Sequence, residues 1–141
     1  MDMELSRCIN FLLSASQHAV FQYLSGRLAP HGITPAQYGV LNCLWKHGCL
    51  SPKQIGEILH LEASSVSGIL ERMQKNDLIE RNIDPDNRRA ILVLPTQKAL
   101  DLQAPVEAIV TEMNQLVLES FTEEEKELII RALTIISERS L

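Results

Sequence analysis

Residues 51–95 read SPKQIGEILHLEASSVSGILERMQKNDLIERNIDPDNRRAILVLP, and the changes of period inside this stretch decide the fold. Ser51-Pro52 is an N-cap followed by proline at the first helical position, and Lys53, Gln54, Ile55, Glu57, Ile58 and Leu59 behind it predict a helix of about eight residues. His60-Leu61-Glu62 separates it from a second helix, roughly Glu62 to Asn76, whose apolar Val66, Ile69, Leu70 and Met73 follow the i, i+3, i+4, i+7 spacing. Two short helices joined by a tight turn form a helix-turn-helix. After Lys75-Asn76-Asp77 the helical period stops. Leu78, Ile79, Arg81 and Ile83 run into Asp84-Pro85-Asp86-Asn87-Arg88-Arg89, and Ala90-Ile91-Leu92-Val93-Leu94 follow: two short strands flanking a polar tip, a β-hairpin.

Upstream, Thr34-Pro35 repeats the same start signal for a helix from about Pro35 to His47, closed by Gly48. Before it, Leu5, Ile9, Leu12, Ser16, Ala19 and Tyr23, widened by Cys8, Leu13 and Val20, predict one long amphipathic helix from Glu4 to about Leu28, ended near Pro30. Downstream, Pro95-Thr96 opens a helical stretch carrying Leu100, Leu102, Val106, Ile109, Val110, Met113, Leu116 and Val117, with Pro105 expected to kink it. Thr122-Glu123-Glu124-Glu125 is a capping box, and Leu128 to about Arg139 forms the last helix. The expected fold is therefore mainly α with a small β-hairpin wing: a winged helix-turn-helix over 32–95, flanked by an N-terminal dimerisation helix within 1–31 and C-terminal dimerisation helices within 96–141. The stripes Leu5 to Tyr23 and Leu128, Ile129, Leu133, Ile136 are too long for a domain of about 65 residues to cover. Intertwining of the end helices between two subunits is the expectation, and folding back within one chain is the alternative.

The chain has 141 residues, 45% hydrophobic and 22% charged, which excludes a disordered polypeptide. Aromatic residues are only 4% of it, which favours helices over a β-sandwich. The acidic start Met1-Asp2-Met3-Glu4 and the absence of a long apolar run argue against a signal peptide or a membrane span. Cys8, Cys43 and Cys49 form no C-x-x-C pair, so a disulfide framework is not expected and a reducing, cytoplasmic setting is. His18, His31, His47 and His60 show no metal-ligand spacing, although ligands can converge from distant positions. Neither a metal nor a cofactor is expected. The net charge of −5 excludes a uniformly basic nucleic-acid binder, so any anion-binding surface is local.

Such a surface is legible in the second helix of the helix-turn-helix. At about 100° per residue, Val66, Ile69, Leu70 and Met73 gather on one side, while Ser64, Ser67, Gly68, Glu71, Arg72 and Lys75 lie broadly opposite and Ser65 flanks them. Small residues let a helix backbone approach the floor of the major groove, and Arg72 and Lys75 reach base edges or phosphates. Glu62 and Glu71 must then point aside or read a cytosine amino group. Arg88 suits the narrow, electronegative minor groove, and Arg89 a phosphate. Ser51, Lys53 and Gln54 stand where a helix N-terminus holds phosphates, with simple capping as the competing role of Ser51. A solvated Ser-rich face, and an exposed cluster of ion pairs among Asp84, Asp86, Arg88 and Arg89, are the bland alternatives.

The run from about Gly32 to Thr96 resembles the multiple-antibiotic-resistance regulator (MarR) family of bacterial transcription factors. The resemblance is carried by Asp84-Pro85-Asp86-Asn87-Arg88-Arg89, by Ile33-Thr34-Pro35-Ala36-Gln37-Tyr38, by Ser65-Val66-Ser67 and by Leu78-Ile79-Glu80-Arg81, and the flanking helices match the family layout. It implies a homodimeric regulator, a repressor of a palindromic double-stranded DNA operator, with Asp86 buttressing the wing and Arg88 inserting. It also implies release by a small aromatic or amphipathic molecule bound between the dimerisation helices and the winged domain, for which Phe11, Ala15, His18, Tyr38, Trp45 and Met113 are the candidate lining residues; each is equally a core residue. Cys8 lies about where the organic-hydroperoxide-sensing members carry a reactive cysteine, though its spacing to Tyr23 and Tyr38 departs from theirs. A buried structural thiol is the competing role. No nucleophile elbow, P-loop or glycine-rich fingerprint is present, so the chain is not expected to be an enzyme. A winged helix used for protein contacts is the alternative from another class.

Overall fold

The computed structural model describes residues 4–141, so of the acidic start only Glu4 lies within it. Seven helices and one hairpin follow in the order α1 (Ile9–Leu28), α2 (Pro35–His47), α3 (Pro52–Leu59), α4 (Ala63–Lys75), β1 (Ile79–Asp84), β2 (Asn87–Pro95), α5 (Gln97–Asp101), α6 (Gln103–Leu118) and α7 (Glu123–Ser137). The helix boundaries of the helix-turn-helix follow from side-chain chemistry. Thr34 and Ser51 accept from the backbone N–H groups of Gln37 and Gln54, whose side chains return the bond to the cap residue. Gly48 ends α2 at φ 81° and His60 ends α3 at φ 56°, left-handed positions that turn the chain sharply.

Three elements differ from the sequence expectation. The first helix is not continuous from Glu4: Leu5–Arg7 is a separate 3-10 turn, and extended backbone at Cys8 caps α1. The stretch after Thr96 does not merely bend. It breaks at Leu102, and Pro105, having no N–H to donate, falls in the first turn of α6, where helical donors have no partner in any case. The last helix begins at Glu123 rather than Leu128, because the Thr122/Glu125 capping box starts it there.

One apolar core joins the winged segment to the flanking helices. Val40, Leu41 and Leu44 of α2, Ile55 of α3, Val66, Leu70 and Met73 of α4 and Ile79 and Val93 of the hairpin pack with Leu24 and Leu28 of α1 and Val106, Ile109 and Met113 of α6. α5 is fastened across this core. The Thr96 hydroxyl donates to the Asp77 carbonyl at 2.7 Å and accepts from the Ala99 N–H, Lys98 Nζ donates to the Asn76 carbonyl at 2.8 Å, and Trp45 Nε1 donates to the Ala99 carbonyl at 3.0 Å. The link from the end of α4 to the start of the long α6 is thus short and hydrogen-bonded. By contrast α7 contains no buried residue, although Leu128, Ile130, Leu133, Ile135 and Ile136 are all large and apolar.

Candidate nucleic-acid interface

α4 presents the face its spacing predicts. Val66, Leu70 and Met73 are buried, while Ser64, Ser65, Ser67, Arg72 and Lys75 are exposed. Its N-cap, Glu62, makes no side-chain capping bond, unlike Thr34, Ser51, Thr96 and Thr122 at other helices. The first N–H groups of α4, with the positive end of its dipole, therefore lie open beside the serines. Arg72 leans back along the helix, its Nη2 3.6 Å from where a Cβ on Gly68 would stand. Lys75 makes only a loose, exposed pair with Glu71 at 3.5 Å, a contact that solvent leaves nearly worthless and a phosphate can displace. At the start of α3, Ser51 and Gln54 are engaged with each other at 2.9 and 3.1 Å, so capping is one role they hold, and the Lys53 side chain stands exposed next to them.

The wing is built differently from a simple tip. Asp84 pairs with Asn87 across a two-residue turn, Pro85-Asp86, while Ile83 pairs with Ile91, so Arg88, Arg89 and Ala90 form a bulge with no partner on β1. Arg88 and Arg89 thus project from the bulge just past the turn rather than from the turn itself. Bulges of this kind re-aim side chains. The turn is closed by Asp84, whose Oδ1 accepts from the Asp86 N–H at 2.9 Å, and the bulge by Asn87, whose Oδ1 accepts from the Arg89 N–H at 3.2 Å. Asp84 holds the turn where the resemblance assigned that work to Asp86, which here contributes its backbone; its side chain is exposed. Among the described residues the ion pairs are Arg27–Glu112, Lys75–Glu71 and Lys126–Glu123, so the wing acids do not neutralise Arg88 or Arg89.

Between α3, α4 and β1 lies a cleft of about 640 Å³ bordered by Lys53, His60, Ser67 and Arg81 among others. Arg81 Nε is buried there without a hydrogen-bond partner. In the sequence Arg81 figures only as part of a motif, yet period-two counting from Ile79 places it on the inward face of the hairpin, the signal that marks it. Gly56 is what lets the turn above this cleft close, since a Cβ on it would meet the Leu61 carbonyl oxygen at 3.0 Å.

Among the described residues the six candidate effector residues fall in three separate places. Tyr38 and Trp45 stack obliquely, centroids 6.4 Å apart, with Trp45 hydrogen-bonded to α5. Burial, then the nearby Glu107 carboxylate, pushes the Tyr38 hydroxyl above its ordinary range, against the bond donated by Asn42. Met113 is buried beside a groove of about 360 Å³ shared with Val20 and Tyr23, whose hydroxyl oxygen is buried and unpartnered. Phe11, Ala15 and His18 share an exposed face of α1 outside that groove. Burial pushes the Cys43 thiol up, while Cys8 is half-buried at the cap of α1 and Cys49 exposed. Among the described residues no group of three His, Cys, Asp or Glu side chains could hold a metal ion, and no helix is long and apolar enough to cross a membrane.

Residues 33–91, from the entry to α2 through the wing bulge, match the model of the MarR family. Over 111 residues the chain is 31% identical to the organic hydroperoxide resistance transcriptional regulator of Bacillus subtilis, covering 74% of this chain and 76% of that protein. The chain belongs to the MarR family. Members of this family are DNA-binding transcription regulators with a winged helix, and not enzymes. Solved structures share the fold across nearly the whole chain. A cysteine-to-serine mutant of MarR from E. coli, complexed with operator DNA, superposes with a TM-score of 0.84 at 21% identity, covering 91% of this chain and 92% of that one. BpsR of Bordetella bronchiseptica, described with its regulation by 6-hydroxynicotinic acid, gives 0.91 at 21% identity, covering 99% and 100%.

Proposed function

We propose that this MarR-family regulator is a homodimeric repressor of a palindromic operator, in the cytoplasm, relieved by a small aromatic or amphipathic molecule. The observation that carries the reading is the pairing of two unsatisfied surfaces on one chain: the open, uncapped face of α4 beside the unpaired Arg88 and Arg89, and an α7 with no buried residue. The first fits DNA. Ser64, Ser65, Ser67 and Gly68 admit the groove floor, Arg72 and Lys75 reach bases or phosphates, Ser51, Lys53 and Gln54 sit at a phosphate-facing helix start, and Asp86, Arg88 and Arg89 belong to the wing. The second fits a twin subunit, because one reading helix covers few base pairs and a two-fold axis doubles the site. The effector reading rests on the ligand named for BpsR and on the mix of apolar and polar side chains at Phe11, Ala15, His18, Tyr38, Trp45 and Met113. Titration of the purified protein against duplex DNA from upstream of its own gene at two salt concentrations tests this. Tight, steeply salt-dependent binding by a dimer, abolished by simple aromatic acids, is the expected result; salt-insensitive or absent binding overturns it in favour of a protein-contact module.

A second reading is favoured by the hydroperoxide regulator of B. subtilis and by the half-buried Cys8 at the α1 cap. In it the Cys8 thiol takes one oxygen from an organic hydroperoxide, giving a sulfenic acid and an alcohol. Cys8→Ser then retains DNA binding and loses release by cumene hydroperoxide. Release that survives in Cys8→Ser clears Cys8 of that role.

A further inference from the structure

The core-facing side of the hairpin carries Ile79, Arg81 and Ile83 on β1, opposite Pro95, Val93 and Ile91 on β2. Ile79 and Val93 are buried at 2% and 0%, but at the outer end of the same face Ile83 is 67% exposed and Ile91 45% exposed. The face that packs on the helices therefore continues past the edge of the body as an apolar pair with nothing beneath it. The pair borders the bulge that holds Arg88 and Arg89, with Asn82 and Asn87 also exposed around it. Hence whatever covers the two isoleucines must offer apolar surface within a few ångströms of strong negative charge. A protein partner large enough to form a stable complex needs far more area than two side chains provide. A minor groove meets both requirements, because its walls are deoxyribose C–H groups and its rims are phosphates.

We infer that Ile83 and Ile91 form an apolar brace that packs on the deoxyriboses of the minor groove entered by the wing, fixing how deeply the Arg88 and Arg89 guanidinium groups sit. The inference rests on the proposed wing contact with DNA and adds a sugar-reading surface to it. Such a contact carries no charge, so it contributes affinity without counterion release. The competing role is local: a cross-strand pair of isoleucines also stabilises a hairpin.

The test compares wild type, the double variant Ile83→Thr/Ile91→Thr and Arg88→Ala on one duplex of about 30 base pairs, long enough for two half-sites, selected from a random pool by the wild-type protein. Threonine keeps the β-branch and with it the strand preference. The double variant is expected to bind about threefold to tenfold more weakly with the salt slope of the wild type. Hydroxyl-radical footprinting, which reads sugar accessibility, should show loss of protection at the wing-contacted sugars alone. Wild-type affinity and footprint in the double variant, while Arg88→Ala weakens binding, overturn the brace and leave the wing reading standing. Wild-type affinity and footprint in both variants overturn the brace and the wing reading together. A weakened double variant with an unchanged sugar footprint and a lowered thermal midpoint assigns the isoleucines to the hairpin and also overturns the brace.

Discussion

A Cβ added at Gly56 would stand 3.0 Å from the Leu61 carbonyl oxygen and 3.3 Å from Val66 Cγ2, whereas at Gly68 the nearest atom is the far end of Arg72 at 3.6 Å. The first clash involves backbone and cannot relax by a rotamer change. Gly56→Ala is therefore expected to destabilise the fold by about 1–3 kcal/mol, seen as a lowered denaturation midpoint. Gly68→Ala should do the reverse, gaining up to about 1 kcal/mol from helix propensity. Its cost appears only on DNA, where the added methyl keeps α4 from the groove floor; operator affinity falls while the melt does not. Equal affinity in the two proteins would remove Gly68 from the interface. At this scale the sequence is most informative where a residue type meets a period. Ser51, Thr34 and Gly48 mark the helix ends because caps act through their own neighbours. Arg81 is harder to see, since a charge on an inward strand position declares itself only when the cleft around it exists.

The wing shows the limit of such reading at the scale of an element. Its strands are legible from Leu78 to Leu94, but the three-residue bulge is not, because register depends on which hydrogen bonds close the turn, and Asp84 and Asn87 make theirs with the backbone. The same holds for the breaks at Cys8 and Leu102, where apolar periodicity runs on while the backbone changes direction. The bulge has a consequence for binding. Arg88→Ala is expected to weaken operator binding by about 1–3 kcal/mol and to leave the protein folded, and Asn87→Ala, which frees the bulge, should weaken it less. Fluorescence anisotropy on labelled operator measures both; an Asn87 variant weaker than the Arg88 variant would show that bulge geometry outweighs the charge. Thr96 offers an element-scale test of stability. It is 9% exposed and its hydroxyl serves both the Asp77 carbonyl and the Ala99 N–H. Thr96→Val strands both groups and should cost about 1–3 kcal/mol by urea denaturation, whereas a surface threonine would cost almost nothing.

Across the whole molecule, the continuous core and the fastening of α5 mean that α4 cannot move freely of α6: Thr96, Lys98 and the Trp45 bond hold the junction between them. In the proposed dimer, a ligand shifts the spacing of the two reading helices only through a difference in affinity for the two spacings. The proposed subunit contact is tested most cleanly at α7, which has no buried residue. Leu133 and Ile136 line a groove of about 520 Å³ with Ile9, Leu12, Val117 and Phe121, yet remain 46% and 42% exposed, so neither holds up the core of its own chain. Leu133→Asp with Ile136→Asp should therefore leave the winged helix folded by circular dichroism while sedimentation gives a mass near 15.8 kDa instead of twice that. The monomer should still bind a half-site through α4 and the wing, but without the gain that a second linked half-site brings, which for joined sites reaches about 10²–10⁴. A double variant that sediments as a dimer and keeps full operator affinity would place the two-fold contact elsewhere, on the exposed face of α1 that carries Phe11, Ala15 and His18.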